Sequence, residues 1–216
     1  MKQNKAIAIF DLDGTLTSKD TYLEFIKYAK GPLYFFTGIL VLSPKIIGFY
    51  LKLISNNRLK LEFFNYFFGK SKVSEIRDTG MQFAVNKIPM LLRPGAQQVL
   101  RWHIDQGHEV LILTASSDLW VHKWCEVNGF NLIATKFQTK ANQFTGEFDG
   151  FNCYGLEKKK LLLDYFKDRQ FDFKYGYGDS KADSYFLELV DRPYLMVLNS
   201  ENVKRKWTPE IMGQES

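Results

Sequence analysis

The hydrophobic pattern divides the chain into a helical block near the N-terminus and a longer region in which strands and helices alternate. An uninterrupted apolar run at residues 6–10 predicts a buried strand. Residues 16–90 then carry apolar side chains mostly at the spacing of helices. From residue 93 onward, apolar runs of strand length alternate with segments of helix length. Because such alternation is typical of parallel sheets covered by helices, the pattern predicts an α/β fold with a helical insertion after the first strand.

The individual elements follow from the same periodicities and from the glycines and prolines that bound them. In the alternating region, we predict strands over 109–113, 130–134, 173–177 and 194–198, and helices over 96–106, 119–128, 156–168 and 181–189. A polar–apolar alternation over 136–150, centred on Ala141-Asn142, predicts a β-hairpin. In the helical block, we predict helices over 22–30 and 72–86, a helix capped by Asn57 and ended by Gly69, and two helices within 31–54.

The stretch 31–54 is the most apolar part of the chain. Residues 31–44 contain no charge, and Ser43-Pro44 predicts a break that makes the stretch a hairpin of two helices. A membrane-spanning helix needs about 20 apolar residues, and the uncharged run is shorter and is followed by Lys45. Its mixture of aromatic and lysine side chains is typical of helices that lie on a membrane surface. A small helical domain that packs on itself has the same composition, so both interpretations stay open.

Two carboxylates follow the first strand at once. Asp11 and Asp13 are two positions apart, so their side chains lie on the same side of the strand end and repel each other. A bound divalent cation would relieve this repulsion. An Asx-rich turn that caps the strand is the alternative, and the other strand ends must decide between them.

Polar clusters also follow two later strands, with Thr114 and Ser116 in one and Asp179 and Asp183 in the other. We expect these clusters to meet Asp11, because the carboxyl ends of parallel strands lie at one edge of a sheet. The carboxylates offer the hard oxygen ligands that Mg²⁺ prefers, and a hydroxyl with free turn amides suits a phosphate. The sequence therefore predicts a Mg²⁺ and phosphate site at this edge.

A cation near the phosphate would complete the charge balance. Lys158, Lys159 and Lys160 begin a predicted helix, and any one of the three could supply it. With Mg²⁺ on one side of a phosphate and an ammonium on the other, a carboxylate held in line could attack phosphorus.

Composition narrows the context without identifying the chemistry. The 216 residues include 29 basic and 24 acidic side chains, a net charge of +5 that favours anionic substrates or surfaces but is not a nucleic-acid signature. Cys125 and Cys153 lie far apart without metal-ligand spacing, which predicts reduced thiols. No hydrophobic signal region precedes the first strand, so we expect a cytoplasmic protein.

Four motifs, in order, resemble those of the haloacid dehalogenase-like hydrolases. They are Asp11-Leu12-Asp13-Gly14-Thr15, Leu111-Ile112-Leu113-Thr114-Ala115-Ser116, Gly155-Leu156-Glu157-Lys158 and Gly178-Asp179-Ser180-Lys181-Ala182-Asp183. The resemblance implies a Rossmann-like core, and the helical insertion is similar to the C1 cap of the phosphoserine phosphatase-like subfamily IB. The implied division is a core of residues 1–17 and 91–216 and a cap of residues 18–90.

The resemblance also implies roles for single residues in the first motif. Asp11 would be the nucleophile that forms an aspartyl-phosphate. Asp13 would protonate the leaving group and then deprotonate water, and its backbone carbonyl would reach the metal. Thr15 would order the loop.

The other three motifs would hold the phosphate and the Mg²⁺. Thr114 and the Ala115 amide would bind the phosphoryl group, and Lys158 would neutralise both Asp11 and the phosphate. Asp179 would bind Mg²⁺, and Asp183 would support the water shell of the metal.

The insertion departs from phosphoserine phosphatases. Asp20 stands where such an enzyme places an acid, usually Glu, that binds the substrate amine, but the aromatic stretch 31–54 does not resemble that enzyme. Some subfamily IB members with an apolar cap act on lipid phosphates such as phosphatidylglycerophosphate. We therefore expect a lipid phosphate, with phosphoserine or another small metabolite as the alternative.

The resulting prediction is a Mg²⁺-dependent phosphatase that acts on a small-molecule or lipid phosphomonoester, with no nucleic-acid partner. Peripheral contact through 31–54 would place it at the inner face of the membrane, whereas its oligomeric state has no signal in the sequence. The alternative of another class is a non-catalytic, membrane-associated phosphate-binding scaffold. That alternative needs a broken motif, and all four motifs are intact.

Overall fold

The structure is a computed structural model that describes residues 5–195 and residue 198. Its strands are β1 (Ala6–Phe10), β2 (Glu109–Ser117), β3 (Asn131–Thr135), β4 (Phe137–Lys140), β5 (Gln143–Phe148), β6 (Phe173–Gly178) and β7 (Arg192–Leu195). Its helices are α1 (Thr21–Lys30), α2 (Pro32–Tyr50), α3 (Asn56–Phe68), α4 (Val73–Asn86), α5 (Ile88–Leu91), α6 (Pro94–Asp105), α7 (Asp118–Asn128), α8 (Leu156–Phe166) and α9 (Ser184–Leu187).

Five parallel strands form the central sheet, in the order β3-β2-β1-β6-β7. All of β1 is buried in the middle, with Ile9 opposite Leu111 of β2 and Gly176 of β6. The chain runs outward from β1 to β3 on one side, and then from β6 to β7 on the other. The predicted Rossmann-like, doubly wound parallel sheet is therefore confirmed. Its strand order reverses beside β1, which is where such sheets bind ligands.

Most predicted elements of the alternating region are present, with shifted ends. The β4–β5 hairpin turns at Ala141 and Asn142, whose φ angles of 49° and 61° are typical of a two-residue type I′ turn. The helix predicted over 181–189 is only the short α9, and β2 continues past its predicted end at Leu113 to Ser117. The last strand begins at Arg192, and part of its predicted range lies outside the described residues.

Helices α1 to α5 occupy the chain between β1 and α6, as the pattern predicts. Asp20 caps α1, and its carboxylate accepts a hydrogen bond of 3.0 Å from the Leu23 amide. The prediction of Asn57 as a helix cap is wrong, because α3 begins earlier and the Ser55 hydroxyl accepts a hydrogen bond from the Arg58 amide at 3.2 Å. Ser and Asn are both good caps, so residue type alone does not distinguish Ser55 from Asn57.

The two-helix hairpin predicted within 31–54 is also wrong, because α2 is one continuous helix of 19 residues with Pro44 inside it. A proline inside a helix removes the hydrogen bond to the carbonyl four residues earlier. Here the Ser43 hydroxyl donates a hydrogen bond of 2.7 Å to that carbonyl, on Leu40. The side chain next to the proline thus satisfies the carbonyl that the proline leaves free, and the helix continues.

Aromatic side chains join the insertion to the sheet region. Phe25 of α1 stacks on Trp120 of α7 with ring centroids 4.8 Å apart, and α4 packs along α7. Both rings are fully buried, so the contact holds the insertion over the carboxyl edge of the sheet. The domain division into residues 1–17 with 91–216 and residues 18–90 stays a prediction.

Candidate active site

A buried ion-pair triad lies at the carboxyl end of β1. Asp11 follows β1 directly, and its backbone amide donates a hydrogen bond of 2.9 Å to the Tyr177 carbonyl of β6. The Lys158 ammonium donates hydrogen bonds to Asp11 Oδ1 at 2.6 Å and to Asp183 Oδ1 at 2.7 Å. All three side chains of the triad are buried. Among the three consecutive lysines only Lys158 joins the triad, since Lys159 pairs with Glu188 and Lys160 with Glu157.

The electrostatics of the triad depend on burial and on one shared cation. Burial raises the pKa of Asp11 to about 7, because the effect of Lys158 in the opposite direction is smaller and Asp183 adds repulsion. Burial also acts against the charge of Lys158, but the two carboxylates outweigh it and raise the Lys158 pKa. Burial likewise opposes ionisation of Asp183, yet Lys158 and Ser180 together lower its pKa. One ammonium therefore neutralises only part of the negative charge.

Thr15 orients the second oxygen of Asp11. Its hydroxyl donates a hydrogen bond of 3.0 Å to Asp11 Oδ2, within the turn that follows β1. Both carboxylate oxygens of Asp11 are thus held by named partners, which restricts the rotation of the group. The resemblance implies that Thr15 orders the loop, and this hydrogen bond joins the two ends of the turn from Asp11 to Thr15.

A third carboxylate, that of Asp179, joins the two carboxylates of the triad. Oxygens of Asp11, Asp179 and Asp183 all lie within 4.8 Å of one another. Gly14 makes this approach possible, because its φ of 88° suits glycine and a side chain there would overlap the Asp179 carboxylate. Burial and the nearby Asp183 raise the pKa of Asp179. A set of hard anionic oxygens this close fits Mg²⁺, which would offset their repulsion.

The Asp13 carboxylate points to a different set of partners. Its Oδ1 accepts a hydrogen bond from the Thr21 amide at 2.6 Å, and its Oδ2 accepts one from the Ser116 hydroxyl at 2.6 Å. Thr21 begins α1, so Asp13 links the end of β1 to the first helix of the insertion. A metal contact from Asp13 would have to come from its backbone carbonyl, as predicted, rather than from this carboxylate.

The predicted phosphate-binding segment lies at the end of β2. Thr114 is buried, and its hydroxyl oxygen accepts a hydrogen bond of 2.9 Å from the Ser116 amide. Ala115 and Ser116 line the cavity beside the acidic cluster. The structure therefore brings this segment to the same edge as Asp11, where we expected it.

A cavity of about 520 Å³ connects these groups to the insertion. Its polar end contains Asp11, Asp13, Lys158, Asp179 and Asp183. The remainder of its wall is mainly apolar and comes from α2 and α3, through Ile39, Ile46, Phe49, Leu59 and Phe63. The cavity thus has a charged end and an apolar end.

Comparison with known proteins decides the family. A family profile described as haloacid dehalogenase-like hydrolase matches residues 8–188. The chain belongs to the haloacid dehalogenase-like hydrolases. It is 32% identical to protein CicA of Caulobacter vibrioides (strain NA1000 / CB15N) over 193 residues, which are 88% of this chain and 86% of CicA.

Two solved structures are similar in fold to this haloacid dehalogenase-like hydrolase. A protein with unknown function from Bordetella pertussis Tohama I has a TM-score of 0.74 at 22% identity and covers 88% of this chain and 89% of its own. A phospho-aspartyl intermediate analogue of phosphoserine phosphatase has a TM-score of 0.61 at 14% identity. The match covers 94% of this chain and 98% of the phosphoserine phosphatase chain. The family and fold implied by the four motifs are therefore confirmed.

Sequence reasoning missed Lys60, which reaches the site of this hydrolase from α3. Its ammonium donates hydrogen bonds to the Ala115 carbonyl and, at 2.8 Å, to Asn152 Oδ1. Burial lowers the pKa of Lys60 to about 8, although Asp13 and Asp20 act in the opposite direction. The only available signal was a lysine beside Leu59 on an amphipathic helix, which normally indicates a solvated edge.

Asp20 lies near Lys60 at the charged end of the cavity, where the sequence predicts a substrate contact. Its side chain remains accessible to solvent within the cavity. Even so, the surrounding protein and the charge of Asp13 raise the pKa of Asp20 to about 6. An acid and a base thus face the cavity from the insertion.

We expect Lys60 to make the free energy of unfolding increase as the pH rises above about 8. The Lys60 pKa is about 8 in the fold, against the ordinary lysine value of 10.5. The unfolded chain therefore binds more protons between these two values, and the free energy of unfolding rises with pH. Relative to Lys60→Met, wild type should gain on the order of 1–3 kcal/mol between pH 8 and 10.5. Urea denaturation across this pH range measures the difference in free energy of unfolding between wild type and Lys60→Met. The control is Lys70→Met, which changes an exposed lysine. If the free energy of unfolding of wild type minus that of Lys60→Met stays constant or falls as the pH rises, the burial of Lys60 is contradicted.

Proposed function

We propose that this hydrolase is a Mg²⁺-dependent phosphatase of subfamily IB that cleaves phosphomonoesters through an aspartyl-phosphate on Asp11. The observation that carries the proposal is the state of Asp11, which is buried, oriented by Thr15 and Lys158, and open to a cavity. A carboxylate needed only for stability gains nothing from facing two other carboxylates within 4.8 Å. An inert phosphate-binding scaffold does not require this arrangement.

In the first step, an Asp11 oxygen bonds to phosphorus and the bond from phosphorus to the ester oxygen breaks. Asp13 gives its proton to the departing alkoxide. In the second step, Asp13 takes a proton from water, the water oxygen bonds to phosphorus, and the bond to Asp11 breaks to release inorganic phosphate. The hydrogen bonds from Ser116 and Thr21 to Asp13 support this role, because they hold the carboxylate at the cavity wall.

Two further groups stabilise the phosphoryl group as it transfers. Lys158 supplies positive charge on one side, where its contact with Asp11 keeps it fixed. Thr114 and the Ala115 amide hold a phosphoryl oxygen at the end of β2. Mg²⁺, when bound by Asp11, Asp179 and Asp183 and by the Asp13 backbone carbonyl, would supply charge neutralisation and orientation of the phosphate.

Removal of divalent cations is expected to abolish hydrolysis of a soluble aryl phosphate. Activity should return with Mg²⁺, and Asp179→Asn should shift the Mg²⁺ titration to at least about tenfold higher concentration. Asp168→Asn, which removes an exposed carboxylate that is not part of the acidic cluster, should leave the Mg²⁺ titration unchanged. Full activity of wild type in excess chelator would contradict the proposed cofactor.

We propose that the substrate is a lipid phosphate, and the apolar wall of the cavity supports this choice. A phosphate bound at Asp11 leaves the remainder of the substrate against side chains such as Ile39, Ile46 and Phe63. Such a wall favours an apolar leaving group over a small polar one. Asp20 supports the alternative, phosphoserine, because a carboxylate at the cavity could bind an amine.

Steady-state kinetics on a panel of phosphomonoesters separates these substrates. We expect kcat/KM to rise from sugar phosphates and phosphoserine to single-chain and two-chain lipid phosphates presented in micelles. Preference for phosphoserine would overturn the lipid assignment and keep the phosphatase. Absence of turnover with every member of the panel would favour the scaffold. A lipid substrate is consistent with a cytoplasmic protein that contacts the inner face of the membrane through 31–54.

A further inference from the structure

Helix α2 exposes an apolar face that nothing in the described part of the chain covers. Leu33 is 80% exposed, Leu40 75% and Phe36 63%, and Val41 and Ile47 are exposed as well. These five residues, which we call the outer face, follow one side of the helix at spacings near its 3.6-residue repeat. Contiguous apolar surface of this kind marks an interaction site in a soluble domain.

The opposite side of α2 packs against the rest of the insertion. Phe35, Gly38, Leu42 and Gly48 are buried, and α2 contacts both α1 and α3. Gly38 lies directly against the Phe67 ring, where any side chain would overlap it. By length and composition alone, α2 could cross a membrane. Its inner contacts instead keep it along the surface of the insertion, because a spanning orientation would expose the α3 aromatic side chains.

The chain around the outer face carries an excess of positive charge. Between residues 25 and 61 the chain has no acidic residue, and its cations are Lys27, Lys30, Lys45, Lys52, Arg58 and Lys60. Lys45 lies within α2 but pairs with Glu62 of α3, as Arg58 does. Lys30, whose ammonium contacts the Ser71 hydroxyl, precedes α2, and the exposed Lys52 follows it, so positive charge lies at both ends of the apolar surface. An apolar helix face with basic flanks complements anionic phospholipids, whose headgroups attract each nearby lysine.

The same helix forms part of the active-site cavity. Ile39, Ile46 and Phe49 line the cavity, and each lies one or two positions from a residue of the outer face. A surface that receives the outer face therefore lies beside the cavity wall. The occupant that fits both the apolar face and its basic flanks is a lipid monolayer, since a second copy of this chain would bring the same positive charges together.

We propose that α2 lies in the plane of an anionic membrane leaflet, with its outer face embedded among the acyl chains and Lys30 and Lys52 at the headgroups. The helix is an interfacial anchor that holds the cavity at the bilayer. The anchor adds a membrane orientation to the proposed function. Only its role in bringing the cavity to a lipid substrate rests on that function. Binding to the bilayer itself requires no turnover.

Co-sedimentation with vesicles tests the anchor, with phosphatidylglycerol and phosphatidylcholine mixtures compared with phosphatidylcholine alone. We expect wild type to bind the anionic vesicles, and Phe36→Gln/Leu40→Gln/Ile47→Gln to bind at least about tenfold more weakly. The matched control is Met90→Gln/Val127→Gln/Leu163→Gln, which changes exposed apolar residues on other helices and should bind like wild type. Gln preserves helix propensity, and circular dichroism checks the fold.

Two outcomes would overturn the anchor. One is equal vesicle binding by wild type and the outer-face variant, and the other is absence of binding by wild type. Sedimentation velocity without lipid identifies a second copy as the occupant if wild type is a dimer that the outer-face changes convert to monomer. Hydrolysis of a soluble aryl phosphate should be unchanged in both triple variants. If wild type does not hydrolyse the aryl phosphate, the proposed function has failed and the anchor has not.

Discussion

Lys158→Met is expected to abolish turnover and to lower the free energy of unfolding by about 3–5 kcal/mol. The change leaves Asp11 and Asp183 as buried carboxylates without their shared cation. The variant must either keep two uncompensated charges or protonate them, and both alternatives stabilise the unfolded chain relative to the fold. Urea denaturation at neutral pH measures the loss.

The adjacent lysines provide the matched controls for Lys158. Lys159 and Lys160 carry the same side chain, but they pair with Glu188 and Glu157 at the surface. Lys159→Met and Lys160→Met should therefore change stability by less than about 1 kcal/mol and keep activity. Loss of activity in either control, with activity retained in Lys158→Met, would show that the wrong lysine was assigned.

A second substitution can separate the two roles of Lys158. Adding Asp183→Asn to Lys158→Met removes one of the two uncompensated carboxylates. We expect the double variant to recover part of the lost stability, since the two side chains are in direct contact and their effects are not additive. It should not recover turnover, because the charge beside the phosphate is still absent.

Asp11→Asn is expected to lower kcat by at least about 10⁴-fold while the protein stays folded. Asparagine has the shape of aspartate but is a very poor nucleophile toward phosphorus. Lys158 keeps its partner Asp183 in this variant, so we expect a smaller change in stability than for Lys158→Met. Hydrolysis of a soluble aryl phosphate and urea denaturation measure the two effects on one preparation.

The control for Asp11→Asn is Asp168→Asn, which makes the same chemical change at an exposed carboxylate. It should keep wild-type rates. Turnover by Asp11→Asn within about tenfold of wild type would exclude Asp11 as the nucleophile, whatever its effect on stability.

The sequence was sufficient for the sheet and for most of the charged end of the site. Asp11, Thr114 and Asp179 each follow a predicted strand, and parallel strands must bring their carboxyl ends together. That rule alone predicts proximity without any knowledge of side-chain packing. It could not choose among the three consecutive lysines, because the choice depends on which side chain of α8 faces the end of β1.

The insertion was harder to predict, for reasons that its residues make plain. Ser43-Pro44 is normally a helix break, but the Ser43 hydroxyl donates to the Leu40 carbonyl that Pro44 leaves free, and α2 continues through it. Lys60 has no motif, and its position at Ala115 and Asn152 results from the packing of α3 over the end of β2. A local side-chain hydrogen bond accounts for the first feature and contacts between distant segments account for the second, and hydrophobic periodicity reports neither.

The most direct test of the account is to locate the phosphoryl group on the protein during turnover. Acid quenching in the steady state, reduction with borohydride and peptide mass spectrometry convert an aspartyl-phosphate into homoserine at its own position. The account predicts homoserine at position 11 in wild type, which should be absent without substrate. Sustained hydrolysis with an unmodified Asp11, or homoserine at another aspartate, would contradict it.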